Sequence, residues 1–242
     1  MPTALITGAS RGLGREIALA LATRGWHLVV DGRTSQLLQH VSAELAAAGA
    51  GGVVAVPGDV ADVEHRQQLL AAVPEGDGLD LLVNNASLLG SSPLPPLADY
   101  PLDILEQVYA VNVLAPLALT QLLLPRLTAA HGRLINISSD AAVEPYEGWG
   151  GYGSSKAALD QWTAVLAAEQ SELRAYALDP GDMRTAMHQA AYPGEDISDR
   201  PEPVAVVPAV LRLINGDLPS GRYQAASLLE DEATVGPAGE VA

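Results

Sequence analysis

The sequence predicts an α/β protein: one domain, with a doubly wound parallel sheet of about seven strands and helices on both faces. Three observations carry this. Short apolar runs alternate with longer Ala- and Leu-rich segments of helical period, and strands alternating with helices build βαβ units. Runs such as Leu28-Val29-Val30 and Leu81-Leu82-Val83 are apolar at every position, as strands covered on both faces require. A glycine-rich turn follows the first run directly.

The elements follow in order. Strands are expected at Ala4–Ile6, His27–Val30, Val53–Val56, Leu79–Val83, Arg133–Ile137, Leu173–Leu178 and Arg222–Gln224. Between them Gly12–Arg24, Ser35–Ala48, Val63–Val73, Leu102–Arg126 and Tyr152–Glu169 carry the helical pattern. Pro116 is expected to divide the fourth of these into two helices, because proline disrupts a helix interior. Ser91–Pro101 is proline-rich, and Pro180–Pro208 is a long insertion full of turn formers. A structureless connection of that length is usually functional; its part 182–200 is expected to act as a mobile lid. The acidic, small-residue tail 229–242 is expected to be flexible.

A chain of 242 residues suits one domain. The hydrophobic share of 48% and charged share of 17% exclude global disorder. With no Phe, the core must rest on Ala, Leu and Val, with Tyr and Trp as bulky fillers. With no Cys, a disulfide framework, a thiolate metal site and a Cys nucleophile are excluded together, and no metal is expected. A net charge of −16 repels phosphate backbones and disfavours general nucleic-acid binding. No apolar run reaches the ~20 residues of a membrane span, and MPTALITGAS has no leader pattern. The chain is therefore expected to be soluble and cytoplasmic, with no membrane partner.

Thr7-Gly8-Ala9-Ser10-Arg11-Gly12-Leu13-Gly14 joins the first strand to a helix. Glycines there let backbone approach a pyrophosphate, and the helix N-terminus offers free N–H groups and a partial positive charge. The spacing is neither G-x-G-x-x-G nor a Walker A motif. Asp31-Gly32-Arg33-Thr34 ends the second strand, where a carboxylate would chelate ribose hydroxyls and an Arg would neutralise a 2′-phosphate; both types are present. Asp59 and Val60 follow the third strand; Asp59 reads equally as a cofactor contact or a helix N-cap near Ala61.

Tyr152 and Lys156 are four residues apart at the start of a helix, hence on one face. An ammonium about 4 Å from a phenol at an effective dielectric of ~20 contributes roughly 4 kcal/mol before desolvation, at most about three pKa units. Such a Tyr could exchange a proton with a carbonyl or alcohol oxygen near neutral pH. Ser138 and Ser139 follow the fifth strand at the sheet edge where ligands bind.

Taken in order over roughly residues 3 to 225, these motifs resemble the short-chain dehydrogenase/reductase family. Thr7–Gly14 is similar to its TGxxxGxG turn, and Asn84-Asn85-Ala86-Ser87 to its NNAG motif, with Ser87 for glycine. Asn112 falls at its relay asparagine, and the thirteen-residue spacing to Tyr152 selects Ser139 as its serine. Tyr152 and Lys156 match YxxxK, and Pro180-Gly181-Asp182-Met183-Arg184-Thr185 resembles the PGxxxT segment. The resemblance implies a Rossmann fold and hydride transfer between a nicotinamide and a small-molecule carbonyl or secondary alcohol. Tyr152 would be general acid or base, Lys156 would lower its pKa and bind the nicotinamide ribose, Ser139 would hold the substrate oxygen, and Asn112 would hold a water linked to Lys156. The cofactor-binding set it implies is Gly8, Ser10, Arg11, Gly12, Leu13, Gly14, Arg33, Asp59, Val60, Asn84, Ala86, Tyr152, Lys156, Pro180, Gly181, Met183 and Thr185. Gly32 takes the family's usual NAD-selecting acid position and Arg33 follows it, so NADP is expected before NAD. A homodimer or homotetramer is implied as well. An epimerase or dehydratase of the family's extended branch would need a larger C-terminal part than remains here. A non-catalytic NAD(P)-binding sensor or scaffold is the alternative reading, set against by the retained Tyr and Lys.

Overall fold

The computed structural model describes residues 1–74, 76 and 78–234. Seven parallel strands form one sheet in the order β3-β2-β1-β4-β5-β6-β7. They are β1 (Thr3–Ile6), β2 (His27–Gly32), β3 (Gly52–Pro57), β4 (Leu81–Asn84), β5 (Arg133–Ile137), β6 (Arg174–Asp179) and β7 (Gly221–Gln224). The helices between them are α1 (Gly12–Ala22), α2 (Ser35–Ala47), α3 (Val63–Ala72), α4 (Leu102–Tyr109), α5 (Ala115–Ala129), α6 (Gly150–Glu169), α7 (Ala186–Ala191) and α8 (Val207–Asn215), with α9 (Ala225–Thr234) closing the described chain.

The uninterrupted apolar strands serve two cores at once. Side chains alternate across a pleated sheet, so Ala4, Ile6, Val30, Val83 and Ile135 face one cluster and Leu5, Val29, Leu82 and Leu134 face the other. The register sets Leu5 beside Val29 and Leu82, and Leu82 beside Leu134. Helices α1, α2, α8 and α9 cover the first face through Ile17, Leu21, Leu38, Leu45, Leu213 and Leu228. Helices α3, α5 and α6 cover the second through Leu69, Leu119, Leu123, Leu127 and Trp162. As the absence of Phe foretells, the largest fully buried side chain is Tyr176; its hydroxyl donates to the Leu218 carbonyl at 2.8 Å.

Strand order reverses between β1 and β4. Crossovers leave this point in opposite directions and open a crevice at the carboxyl ends of the strands, where such folds bind ligands.

Four expectations are corrected. Pro116 does not end a helix: α4 runs through a π-helical turn (Ala110–Leu114) into α5, and Pro116 sits in the first turn of α5, directly after that irregular turn. The resulting Leu102–Ala129 stretch is long and apolar enough by composition to cross a membrane, contrary to the run-length reading; its Leu119, Leu123 and Leu127 pack beneath the sheet. The 180–208 connection carries α7 and a 3₁₀ turn rather than no structure. Residues 229–234 complete α9, whose Leu228 is buried in the core, so the expected flexible tail does not begin at 229; its remainder, 235–242, lies outside the described residues.

Candidate active site

At the carboxyl ends of the strands lies a cleft of about 730 Å³. One end is the turn after β1. Gly8 has φ +64°, and a Cβ on it would stand 2.9 Å from the Ala86 Cα. A Cβ on Gly14 would stand 2.5 Å from the Asn85 amide nitrogen. Asn85 in turn donates to the Thr7 and Gly8 carbonyls at 2.9 and 3.2 Å. Glycine is thus required for the turn to pack against the segment after β4. No side chain caps α1 at Arg11, so its first N–H groups are free for an anion. Ser10, Arg11, Gly12 and Leu13 line the cleft. Free amides, close-packed glycines and a neighbouring cation fit a dinucleotide diphosphate.

At the end of β2 the two ribose candidates separate. Asp31 is buried; its carboxylate accepts the Gly8 N–H at 2.5 Å and meets His65 Nε2 of α3 at 3.1 Å. Burial pushes its carboxyl above the ordinary range, against His65 and Gly8. Asp31 therefore braces the turn from beneath, whereas Arg33 is exposed at the cleft wall. Asp59 and Val60 line the wall too. Asp59 does not cap α3, which starts after Asp62; it closes a turn by accepting the Ala61 N–H at 2.9 Å.

The Tyr, Lys and Ser candidates converge at the other end. Tyr152 and Lys156 rise from the first turns of α6, both buried, with Lys156 Nζ 5.5 Å from the Tyr152 ring centroid. Lys156 donates to the Ile137 carbonyl at 2.6 Å. Burial lowers the Lys156 ammonium to about 8, with Asp160 acting against the shift. Burial also pushes the Tyr152 phenol above its ordinary value, opposed by a hydrogen bond with Ser87 and reinforced by the charges of Asp140 and Asp179. The expected downward shift of the phenol is therefore absent from the free protein: desolvation is the largest influence on it. Ser139 lines the same wall; its hydroxyl donates to Asp140 at 3.0 Å and accepts from the Ala141 N–H at 3.2 Å. Pro180, Gly181, Met183 and Thr185 form the facing wall, and Thr185 caps α7 by accepting the His188 N–H at 3.1 Å.

Three expected residues lie away from the cleft surface. Gly14 acts through packing alone. Asn84 is buried and donates to Thr120 at 3.2 Å and Asn136 at 2.8 Å; it is Asn85 and Ala86 that reach the cleft. Asn112 sits in the π-helical turn, where its amide donates to the Leu88 carbonyl at 2.9 Å and Ser155 at 3.0 Å while its oxygen accepts from the Leu88 N–H at 2.7 Å. Its side chain fixes the segment after β4 against α6.

Two further groups were not picked out from sequence. Ser87, a departure from glycine at the start of a segment expected to frame the substrate pocket, donates to Asn112 at 3.2 Å and also bonds Tyr152. Arg222 of β7 binds Asp160 at 3.0 Å, Asp179 at 3.2 Å and the Ser139 carbonyl at 3.0 Å. It ties the serine's backbone to the end of β6 and to the turn of α6 below Lys156. The first carried a signal, the polar residue in a glycine position; the second carried none, its partners being far away in sequence.

Comparison with known proteins agrees with this geometry. The family model described as short chain dehydrogenase matches residues 2–196. Serine 3-dehydrogenase of Rhizobium radiobacter is 37% identical over 189 residues, covering 76% of this chain and 72% of that protein. Sepiapterin reductase of Bos taurus is 36% identical over 201 residues, covering 77% and 74%. Among solved structures, the oxidoreductase yciK from E. coli superposes with a TM-score of 0.84 at 32% identity, covering 93% of this chain and 94% of that one. A short chain dehydrogenase from Shigella flexneri 2a str. 301, complexed with NADP, superposes with a TM-score of 0.85 at 32% identity, covering 93% and 97%. Sequence, sheet order and cleft thus converge, and the chain belongs to the short chain dehydrogenase family.

Proposed function

We propose that the protein is an NADP(H)-dependent oxidoreductase that interconverts a small-molecule carbonyl compound and its secondary alcohol. The observation that carries this reading is the placement of Tyr152, Lys156 and Ser139 in the same cleft as the uncapped, glycine-packed turn of α1. When bound, the nicotinamide supplies the hydride. The rest falls to the chain. Ser139 holds the substrate oxygen. The Tyr152 hydroxyl gives it a proton in reduction and removes one in oxidation. Lys156 contributes positive charge beside the phenol and binds the nicotinamide ribose, and Asn112 holds the backbone that would order a relay water. Burial of Tyr152 in the free protein favours its protonated form, the form that reduction needs.

NADP is favoured over NAD by the division of labour after β2. Asp31 is turned inward onto Gly8 and His65, leaving Arg33 to meet a 2′-phosphate. NADP in the Shigella structure supports the same choice. The segment 182–200 is read as closing over the cofactor. Its ion pairs, Arg184 with Glu202 and Arg200 with Asp182 and Asp199, are exposed and cost little to break, and Ala191 and Ile197 are its buried side chains. A homodimer or homotetramer is supported by exposed Leu102 and Leu114 on the long apolar α4–α5 stretch.

The test is NADPH consumption by the purified protein over a ketone panel, with NADPH affinity measured in parallel. Turnover of any ketone supports the enzyme. Tight NADPH binding without turnover of any of them would favour the non-catalytic sensor.

A further inference from the structure

Resting on the carbonyl-reductase reading, we propose that the cleft selects an uncharged carbonyl compound bearing an aromatic or similarly bulky apolar group, and discriminates against a carboxylate at the far end of that group. The wall beyond Tyr152 carries Leu89, Trp149 and Met187, and Tyr192 packs with them and the Tyr152 ring in one apolar cluster. Trp149 stands edge-on to Tyr152 with centroids 5.8 Å apart and tilted to Tyr192 at 6.1 Å. Aromatic residues are only 4% of the chain, yet three rings meet at this end. Flat apolar walls with edges and faces both presented favour a ring or a comparable apolar body.

Charge sharpens the selection. Of the lining cations, Arg11 and Arg33 belong to the cofactor end, Lys156 is buried beside Tyr152 and donates to the Ile137 carbonyl, and Arg184 is paired with Glu202. At the substrate end Asp140 has hydroxyl partners, Ser139 and Tyr146. Asp182 shares the Arg200 guanidinium with Asp199 and has the His188 ring at 3.6 Å as its other partner. Two phenols on separate segments lie within reach of these carboxylates. The Tyr146 phenol is pushed up to about 12, first by its hydrogen bond to Asp140, with Glu144 and Asp182 adding. The Tyr192 phenol is raised by burial first, then by Asp182, Asp140 and Glu195, with Arg200 a smaller opposing influence. A second carboxylate brought into this mouth meets like charge in a partly desolvated space.

Three ligands of one shape separate these effects: acetophenone, 4-acetylbenzoate and (4-acetylphenyl)trimethylammonium. The measurements are kcat/KM with NADPH and, independently, calorimetric affinity for the enzyme–NADP⁺ complex. The carboxylate is expected to be about 10- to 100-fold worse than acetophenone in both, as repulsion at an intermediate dielectric dictates. The cation should match acetophenone or exceed it, and high salt should narrow the carboxylate gap. Trp149→Ala should lower kcat/KM for acetophenone about tenfold or more and that for acetone much less. Equal or better use of the carboxylate at low salt overturns the proposal, as does failure of all three ligands to bind. Ranked binding with no NADPH oxidation, here or across the wider ketone panel, keeps this selection and refutes the oxidoreductase reading instead.

Discussion

Replacing Arg222 with Met removes a guanidinium that serves a buried carboxylate, Asp179, a half-buried one, Asp160, and one carbonyl. The side chains of Arg222, Asp160 and Asp179 retain 26, 14 and 5% of their exposure. Breaking a buried pair by deleting one partner costs ~3–5 kcal/mol. The partial exposure of Arg222 admits some water, so we expect about 2–4 kcal/mol at pH 8, or roughly 5–15 °C in Tm for a chain of this size. The sign with pH follows from Asp160. Burial already raises its carboxyl, while Arg222 and Lys156 hold it down. Without Arg222 the folded-state value rises further above the unfolded one, so the folded protein binds the proton more tightly. Stability of the variant therefore falls as pH rises above the ordinary Asp value of ~3.9. The deficit against wild type should be small at pH 5 and large at pH 8. Since the Ser139 carbonyl is released as well, kcat/KM should drop by about 10- to 100-fold. Denaturant melts at the two pH values and steady-state kinetics test this. A deficit below 1 kcal/mol at pH 8, or one equal at both pH values, would refute the reasoning.

Three other outcomes are expected. Tyr152→Phe should abolish turnover with NADPH affinity nearly unchanged, because only the proton-transfer hydroxyl is lost; more than about a tenth of wild-type activity would remove Tyr152 from the acid–base role. Arg33→Ala should weaken NADPH binding by roughly 1.5–3 kcal/mol and NADH binding far less, and titration of both cofactors decides, an equal loss arguing against a 2′-phosphate contact. Hydrogen exchange should be fast over residues 192–200 in the free protein and slow on NADPH addition; unchanged exchange would favour a rigid connection.

What was legible in the sequence was what local pattern encodes. The apolar runs located the strands within one or two residues at each end, and the order of motifs located both ends of the cleft. Leu5 and Ile6 show why the two cores were not separable: both faces are apolar, so alternation leaves no mark on the sequence. Pro116 misled because a proline in a first helical turn and one that ends a helix look alike without the preceding residues' geometry. Asp31 and Asn84 illustrate the main limit. Each has the right chemistry beside the cleft, yet a strand directs successive side chains to opposite sides, and a neighbouring partner, His65 or Asn136, decides where the polar group is used. Arg222 lies 83 residues from Ser139, beyond any local pattern. The raised Tyr152 phenol was illegible for a related reason: a spacing of four reports proximity to Lys156, while burial is fixed by the whole fold.

The most direct test of the account is isotope transfer. Purified wild-type protein and Tyr152→Phe are incubated with NADPH deuterated at nicotinamide C4, in each stereochemical form separately, and with acetophenone. The account predicts deuterium at the carbinol carbon of the wild-type product from one form alone, and no product from the variant. Binding of NADPH with no deuterium transferred from either form, across acetophenone and the wider ketone panel, would contradict it.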